Sequence, residues 1–476
     1  MKRKLLFFLV LITAFTEVII LNSCQKELSC ENCQSTNQPP IAKAGIDQTI
    51  ILPTNAVTLD GGGSIDPDGS IVLYSWKQIT GPNQSAIGNS SLVSSSVNNL
   101  IEGIYQFELK VTDNGGLSAK DTVQIIANNV SNSCAANRPV VNAQLVPMGT
   151  LSQARMDMVT ATAGTKILFA GGLVAGNNIS TRVDIYDFAA NTWSTAELSI
   201  ARHGMTAVTI GNKIFFAGGY ADIISDIISF KRVDIYDAVT NTWSIAELSE
   251  ARGYMTSATL GDKVFFAGGY YWNNADYFSN RVDIYNNTTN TWSTASLSES
   301  REGLSANQAG NKIYFAGGRN GTNVSNKIDI YDGASNSWST SSLNEGKWFF
   351  ASIAVANKIY WAGGINSLSS GEIKSSQVEI RDINTQVSTF ACLSQAKASF
   401  GAVLRDNEIV FFMGSPSIQP QNFDIYNITT DKWSIGILNE GLNYPGIISV
   451  NNKIYVAGGA LATTGNPSNQ VWLLEW

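Results

Sequence analysis

The stretch Gly211–Tyr220 reads GNKIFFAGGY, and the chain keeps returning to it. GDKVFFAGGY follows at Gly261–Tyr270, GNKIYFAGGR at Gly310–Arg319, ANKIYWAGGI at Ala356–Ile365 and NNKIYVAGGA at Asn451–Ala460. Each copy is a turn signal, a short β-branched and aromatic run, and a pair of glycines, which is the pattern of a strand bounded by turns. The first glycine of each pair marks the register: Gly171, Gly218, Gly268, Gly317, Gly363 and Gly458, with Met413 holding the place before Gly414. Sixteen residues before these marks stand Arg155, Arg202, Arg252, Arg301, Lys347, Lys397 and Leu442.

A second column follows the glycines: VDIYD from Val183 and Val233, VDIYN from Val282, IDIYD from Ile328, VEIRD from Val378 and FDIYN from Phe423. Seven residues past each Tyr, or past Arg381 in its place, come Trp193, Trp243, Trp292, Trp338, Ser388 and Trp433. Nine residues further on, the next Arg, Lys or Leu begins the cycle again. Each period thus holds four strand-like runs in about 45 to 50 residues, the signature of propeller blades that bury their faces only when packed against neighbours. Glycines at strand ends allow a sharp bend and a close approach of other groups, and Tyr and Trp supply apolar area between sheets. Gly-Gly, then Tyr, then Trp at fixed offsets resembles the kelch repeat, over Val140 to Trp476. The last repeat stops at its third strand, Gln470–Trp476, while Val146–Arg155 has the spacing of a fourth strand leading to its Arg. Residues 143–152 are therefore expected to complete the last of seven blades.

Before the repeats, short alternating runs (Val57–Leu59, Ile71–Trp76, Tyr105–Val111) are separated by Asp-Gly turns, as in a small β-sandwich. The stretches LDGGGSIDPDGSIVLYSWKQITGP and YQFELKVTDNGGLSAKDTV resemble a PKD domain, an immunoglobulin-like sandwich common on bacterial surface proteins. Asp60, Asp66, Asp68 and Asp113 read as turn residues bonding nearby amides rather than as a calcium cluster. The expected fold class is all-β: a PKD-type sandwich at 39–128, a linker at 129–139 and a seven-bladed kelch propeller at 140–476.

At the N-terminus Lys2, Arg3 and Lys4 precede an apolar run, a secretory signal pattern. Leu21-Asn22-Ser23-Cys24 resembles a bacterial lipobox. It implies a signal peptide over 1–23, acylation of Cys24, a tether over 24–38 and a place in the bacterial cell envelope, at the outer membrane or cell surface. Of the other cysteines, Cys30 and Cys33 are expected to form a local disulfide or to pair with Cys134, and Cys392 to be a small buried apolar residue.

With 31 basic against 38 acidic residues the net charge is −7, and no basic tract exists, so no nucleic-acid partner is expected. A single histidine, His203, excludes a His-rich copper or zinc centre. No metal and no cofactor are expected. The links between blades should share one face with the variable loops, and this face is the expected ligand surface: Arg155, Arg202, His203, Arg252, Tyr254, Arg301, Glu302, Lys347, Trp348 and Lys397, joined by Tyr271 and Trp272 from the longest loops. Asp157, Phe349 and Tyr444 fall on the same links. Six cations around one axis would suit an anionic ligand, unless they bond loop carbonyls or neighbouring acids. The leading expectation is a monomeric, non-catalytic, lipid-anchored binding or adhesion protein for a glycan or a protein, with the sandwich as spacer and the anchor as its sole membrane contact. The alternatives are a metal-independent sugar mutarotase or epimerase using Arg202, Glu302 and Asp157, and a purely structural surface protein.

Overall fold

The computed structural model describes residues 36–476 except 53–54, 102, 130–133, 135–137, 224–225, 273–275, 369–370, 415–420 and 439–440. The signal segment, Cys24, Cys30 and Cys33 lie outside the described residues. Two compact units divide the chain at Asn129.

In the first unit, strands Gln48–Leu52, Ser118–Asn129, Gly103–Asp113 and Ile71–Thr80 form one sheet, and Val57–Asp60, Ser94–Asn98 and Ala86–Ile87 another. Alternate residues of Gly103–Asp113 (Tyr105, Phe107, Leu109 and Val111) are fully buried with Trp76 and Leu59 between the sheets. The aspartates are engaged by amides: Gly62 N–H donates to Asp60, Gln38 N–H to Asp68 and Leu117 N–H to Asp113.

The second unit is the propeller. Seven sheets have the strand order expected of blades. Blade 1 runs Val159–Ala163, Lys166–Ala170, Arg182–Asp187 and Thr192–Glu197, and blades 2 to 6 repeat that order. In blade 7, Gly446–Val450, Lys453–Ala457 and Gln470–Glu475 come from the C-terminus and Gln144–Thr150 supplies the outer strand, with Leu473 opposite Val146 and Leu474 opposite Leu145. The first strands of all seven blades contact one another in a closed ring, the last touching the first.

The quoted stretch explains why the glycines come in pairs. Gly218 has φ 63° and Gly219 φ 94°, where a side chain is disfavoured. A Cβ on Gly218 would sit 2.3 Å from the Arg252 carbonyl of blade 3, and one on Gly219 2.6 Å from the His203 carbonyl of its own blade. Instead Gly219 N–H donates to the Arg252 carbonyl at 3.0 Å. The same inter-blade bond recurs from Gly172 to Arg202, Gly269 to Arg301, Gly318 to Lys347, Gly364 to Lys397 and, across the closure, Gly459 to Arg155. The Tyr and Trp columns meet within blades 1 to 4 and 6, as Tyr236 and Trp243 do at 5.1 Å. Tyr236 Oη also donates to Asn241, the left-handed residue of the following turn.

A second attachment joins the linker to the propeller. Cys134 is disulfide-bonded to Cys392 with Cα atoms 5.9 Å apart, which corrects the pairing of Cys134 with Cys30 or Cys33 and the reading of Cys392 as a small apolar residue. A local Cys30–Cys33 bond lies outside the described residues. Arg138 then reaches Asp424 at 2.8 Å and lies 4.7 Å from the Trp433 ring centroid, and Val140–Asn142 pairs in parallel with Lys432–Leu438 as a fifth strand of blade 6.

Candidate functional site

The expected basic rim is not a surface. Arg155, Arg202, Arg252, Arg301 and Lys347 have no exposed side-chain area, and Lys397 has 8%. Each arginine turns into its own blade and meets the Asp of the VDIYD column: Arg155 with Asp184, Arg202 with Asp234 at 2.6 Å, Arg252 with Asp283 at 2.6 Å and Arg301 with Asp329. The second oxygen of that Asp accepts the backbone N–H of the incoming link, as Asp234 does from Ser199 and Asp283 from Ser249. A buried charge demands such a partner. The Arg column and the Asp column are therefore one device, which pins the link to the blade it enters.

The degenerate blades change both halves of the device. In blade 5, Lys347 turns to Glu345 at 2.7 Å, and Glu379 is left for Arg381 at 2.8 Å and for Ser388, the residues that stand where Tyr and Trp would be. In blade 6, Asp424 is shared by Lys397 and Arg138, each at 2.8 Å. Blade 7 has Leu442 and Trp472 in the two columns, both buried and both in one apolar cluster.

Two residues past this column, every blade places one residue in the left-handed region: Asp157, Gly204, Tyr254, Gly303, Phe349, Ser399 and Tyr444, with φ between 49° and 61°. Tyr and Phe rarely adopt it, and such residues cluster at ligand clamps. Five of the seven junctions carry a backbone bond from one member to the preceding blade's member: Tyr254 to Gly204 at 2.9 Å, Gly303 to Tyr254 at 3.1 Å, Phe349 to Gly303 at 3.4 Å, Ser399 to Phe349 at 2.7 Å and Asp157 to Tyr444 at 3.1 Å. These seven residues form a belt around the axis.

Inside the belt a cavity of about 650 Å³ descends along the first strands. Six of the seven belt residues line it, all but Gly303, together with Met156, Phe350, Phe400, Met413 and Ile447. Its size falls within the range of small-molecule sites, roughly 300–1,000 Å³. Among the described residues its lining contains no Lys, Arg or Glu. His203 Nδ1 lies 3.0 Å from Asp157 Oδ2, with the imidazole buried and the carboxylate side chain 35% exposed. The His203 ring also packs on Tyr220 at 4.2 Å, and Tyr220 Oη donates to Tyr254 Oη.

His203 and Tyr254 thus belong to one cavity, whereas Glu302, Trp348, Tyr271 and Trp272 lie outside its lining. Glu302 is buried on the blade 4 link, where Arg319 Nε donates to Oε1 at 2.7 Å and the Arg319 guanidinium stacks 3.9 Å above Trp348. Burial raises the Glu302 carboxyl above its ordinary value and Arg319 opposes the rise. Tyr271 stacks on Tyr277 across a small hairpin, Tyr270–Trp272 with Asp276–Phe278, and both Tyr271 and Trp272 are half-buried. On the same hairpin, burial and a hydrogen bond to Asp276 push Tyr270 up to about 12. The sequence named Asp157, Phe349 and Tyr444 on the links but not the belt they form. The position two places after the Arg, Lys or Leu column was the available signal, not a residue type.

The family comparisons agree with this architecture. A PKD domain family, the one named for KIAA0319-like proteins, matches residues 44–127, and the KLHDC2/KLHL20/DRC7 kelch-repeats domain family matches residues 204–414. Dyslexia-associated protein KIAA0319 of Homo sapiens is 38% identical over 97 residues, which is 20% of this chain and 9% of that protein. Low-density lipoprotein receptor-related protein 11 of Homo sapiens is 37% identical over 92 residues, 19% of this chain and 18% of that protein. The chain thus spans less than a fifth of the length of these relatives. The solved structure of YjhT aligns with 60% of this chain and 98% of its own at a TM-score of 0.47 and 14% identity. The chain carries a PKD domain followed by a kelch-repeat β-propeller.

Proposed function

We propose that this chain is a non-catalytic, cell-surface binding protein whose propeller takes a small group of a glycan or protein ligand into the axial cavity. The PKD domain serves as spacer and acylated Cys24 as the membrane anchor. The observation that carries the reading is the belt: Tyr254, Phe349 and Tyr444 are held in a backbone conformation unfavourable to them, around the mouth of a 650 Å³ cavity. Strain of roughly 1–3 kcal/mol per residue persists where the surrounding structure fixes it, and clusters at active sites, ligand clamps and switch regions. Pairing of the sequence's cations with buried carboxylates removes the reason to expect an anionic ligand. The isomerase alternative drew on Arg202, Glu302 and Asp157, of which Asp157 alone lines the cavity.

The test is a glycan-array and immobilised-protein screen of the purified chain, repeated with Tyr254→Ala and Tyr444→Ala. Binding that falls at least about ten-fold in both variants, as loss of an aromatic anchor does, is the expected result. A ligand held equally well by both variants would place the site elsewhere and overturn the reading.

A further inference from the structure

We propose that the group received at the axial mouth is a small quaternary or methylated ammonium. The proposal rests on the axial-cavity reading above and gives that cavity its ligand chemistry.

Around the axis the belt reads Asp157, Gly204, Tyr254, Gly303, Phe349, Ser399, Tyr444, so large and small residues alternate from blade 2 through blade 7. The small members leave room between the large ones. Three of the large members are aromatic and the fourth is a carboxylate, and all four line one cavity. Tyr254 and Phe349 meet edge to face with centroids 5.5 Å apart. Tyr444 is 43% exposed and adjoins Asp157 through its carbonyl. Aromatic faces attract a cation through the ring quadrupole, most strongly where water is excluded, and cages of aromatics recognise alkylated ammonium groups in this way.

The sign of charge argues the same way. Among the described residues Asp157 is the one carboxylate of the lining, and neither Lys nor Arg accompanies it. The six cations of the neighbouring column are buried, each with a carboxylate within 2.8 Å. A phosphate or sugar acid would meet that carboxylate, and the one basic side chain of the lining, His203, already holds its Nδ1 3.0 Å from Asp157 Oδ2. An ammonium bearing a free N–H would need acceptors on several sides, whereas a methylated one presents apolar surface to Tyr254, Phe349 and Tyr444 and its charge to Asp157. Met156 and Phe350 in the same lining offer apolar contact to the uncharged remainder of the ligand.

The experiment is titration calorimetry on the purified full chain with three probes: choline, its neutral isostere 3,3-dimethylbutan-1-ol, and phosphocholine. Choline should bind at least about ten-fold more tightly than the isostere, the margin that a desolvated cation–π and carboxylate site provides. Asp157→Asn should remove that margin and leave the isostere unchanged. Asn tolerates the left-handed backbone, so the fold is kept. Tyr444→Ala, at a half-exposed position, should weaken choline more than the isostere, since both lose apolar contact with the ring and choline alone loses its cation–π attraction. Choline binding without phosphocholine binding would assign the site to free ammonium solutes, and binding of both to a phospho-linked headgroup. Equal affinity for choline and the isostere, or a margin that survives Asp157→Asn, would overturn the proposal. If choline fails while the ligand found by the screen above is still lost in Tyr254→Ala, the ammonium inference falls and the axial-cavity reading stands.

Discussion

Arg252 shows what a residue in this fold is for. Its guanidinium is fully buried, donates to Asp283 at 2.6 Å and to the Phe266 carbonyl at 3.1 Å, and so fixes the link that enters blade 3. Removing one partner of a buried pair strands the other charge, and Arg252→Met should cost about 3–5 kcal/mol. The double change Arg252→Leu with Asp283→Leu should recover part of that loss, because apolar replacement of both partners is often neutral while the Ser249 N–H loses its acceptor on Asp283. Blade 7 already carries such a replacement as Leu442 and Trp472. Urea denaturation of the two variants checks this. A single variant as stable as the parent would mean that the pair does not hold the link. The same residue shows where sequence reading stops. The column of cations was legible from its spacing, but its direction was not. Whether a cation turns outward to a ligand or inward to a carboxylate depends on the Asp some thirty residues away, and no local pattern reports that.

At the scale of elements, strand order and register followed from the glycine, Tyr and Trp columns, since each has a fixed place in a four-stranded blade. The linker did not. Arg138, Val140–Asn142 and the Cys134–Cys392 bond attach it to blades 5 and 6, yet none of these carries a repeat signal. A disulfide that closes a loop of 258 residues constrains the unfolded chain strongly. Replacing both cysteines by serine should lower unfolding free energy by about 2–4 kcal/mol, with ligand binding unchanged because neither residue lines the cavity. Thermal melts of the oxidised, reduced and doubly substituted protein should place the last two together, below the first. Three coincident melts would show that the bond contributes nothing to holding the linker.

For the whole molecule, the belt and its cavity exist only because seven blades share one axis, and that depends on a strand from before the first repeat lying beside the last. An isolated edge at blade 7 would leave Gln470–Glu475 unpaired on one side and free Arg155 from Gly459, the inter-blade bond that closes the circle. The number of blades was legible because the last repeat lacks its fourth run and Val146–Arg155 carries the missing offset. The belt was not, because its members share a backbone conformation rather than a residue type. Amide hydrogen exchange across Gln144–Thr150 tests the closure most directly. Closure predicts protection of its paired amides equal to that of Gln470–Glu475, lost together with it in one cooperative opening. Exchange of Gln144–Thr150 at the rate of an unstructured chain, while Gln470–Glu475 stays protected, would contradict the closed ring and the site built upon it.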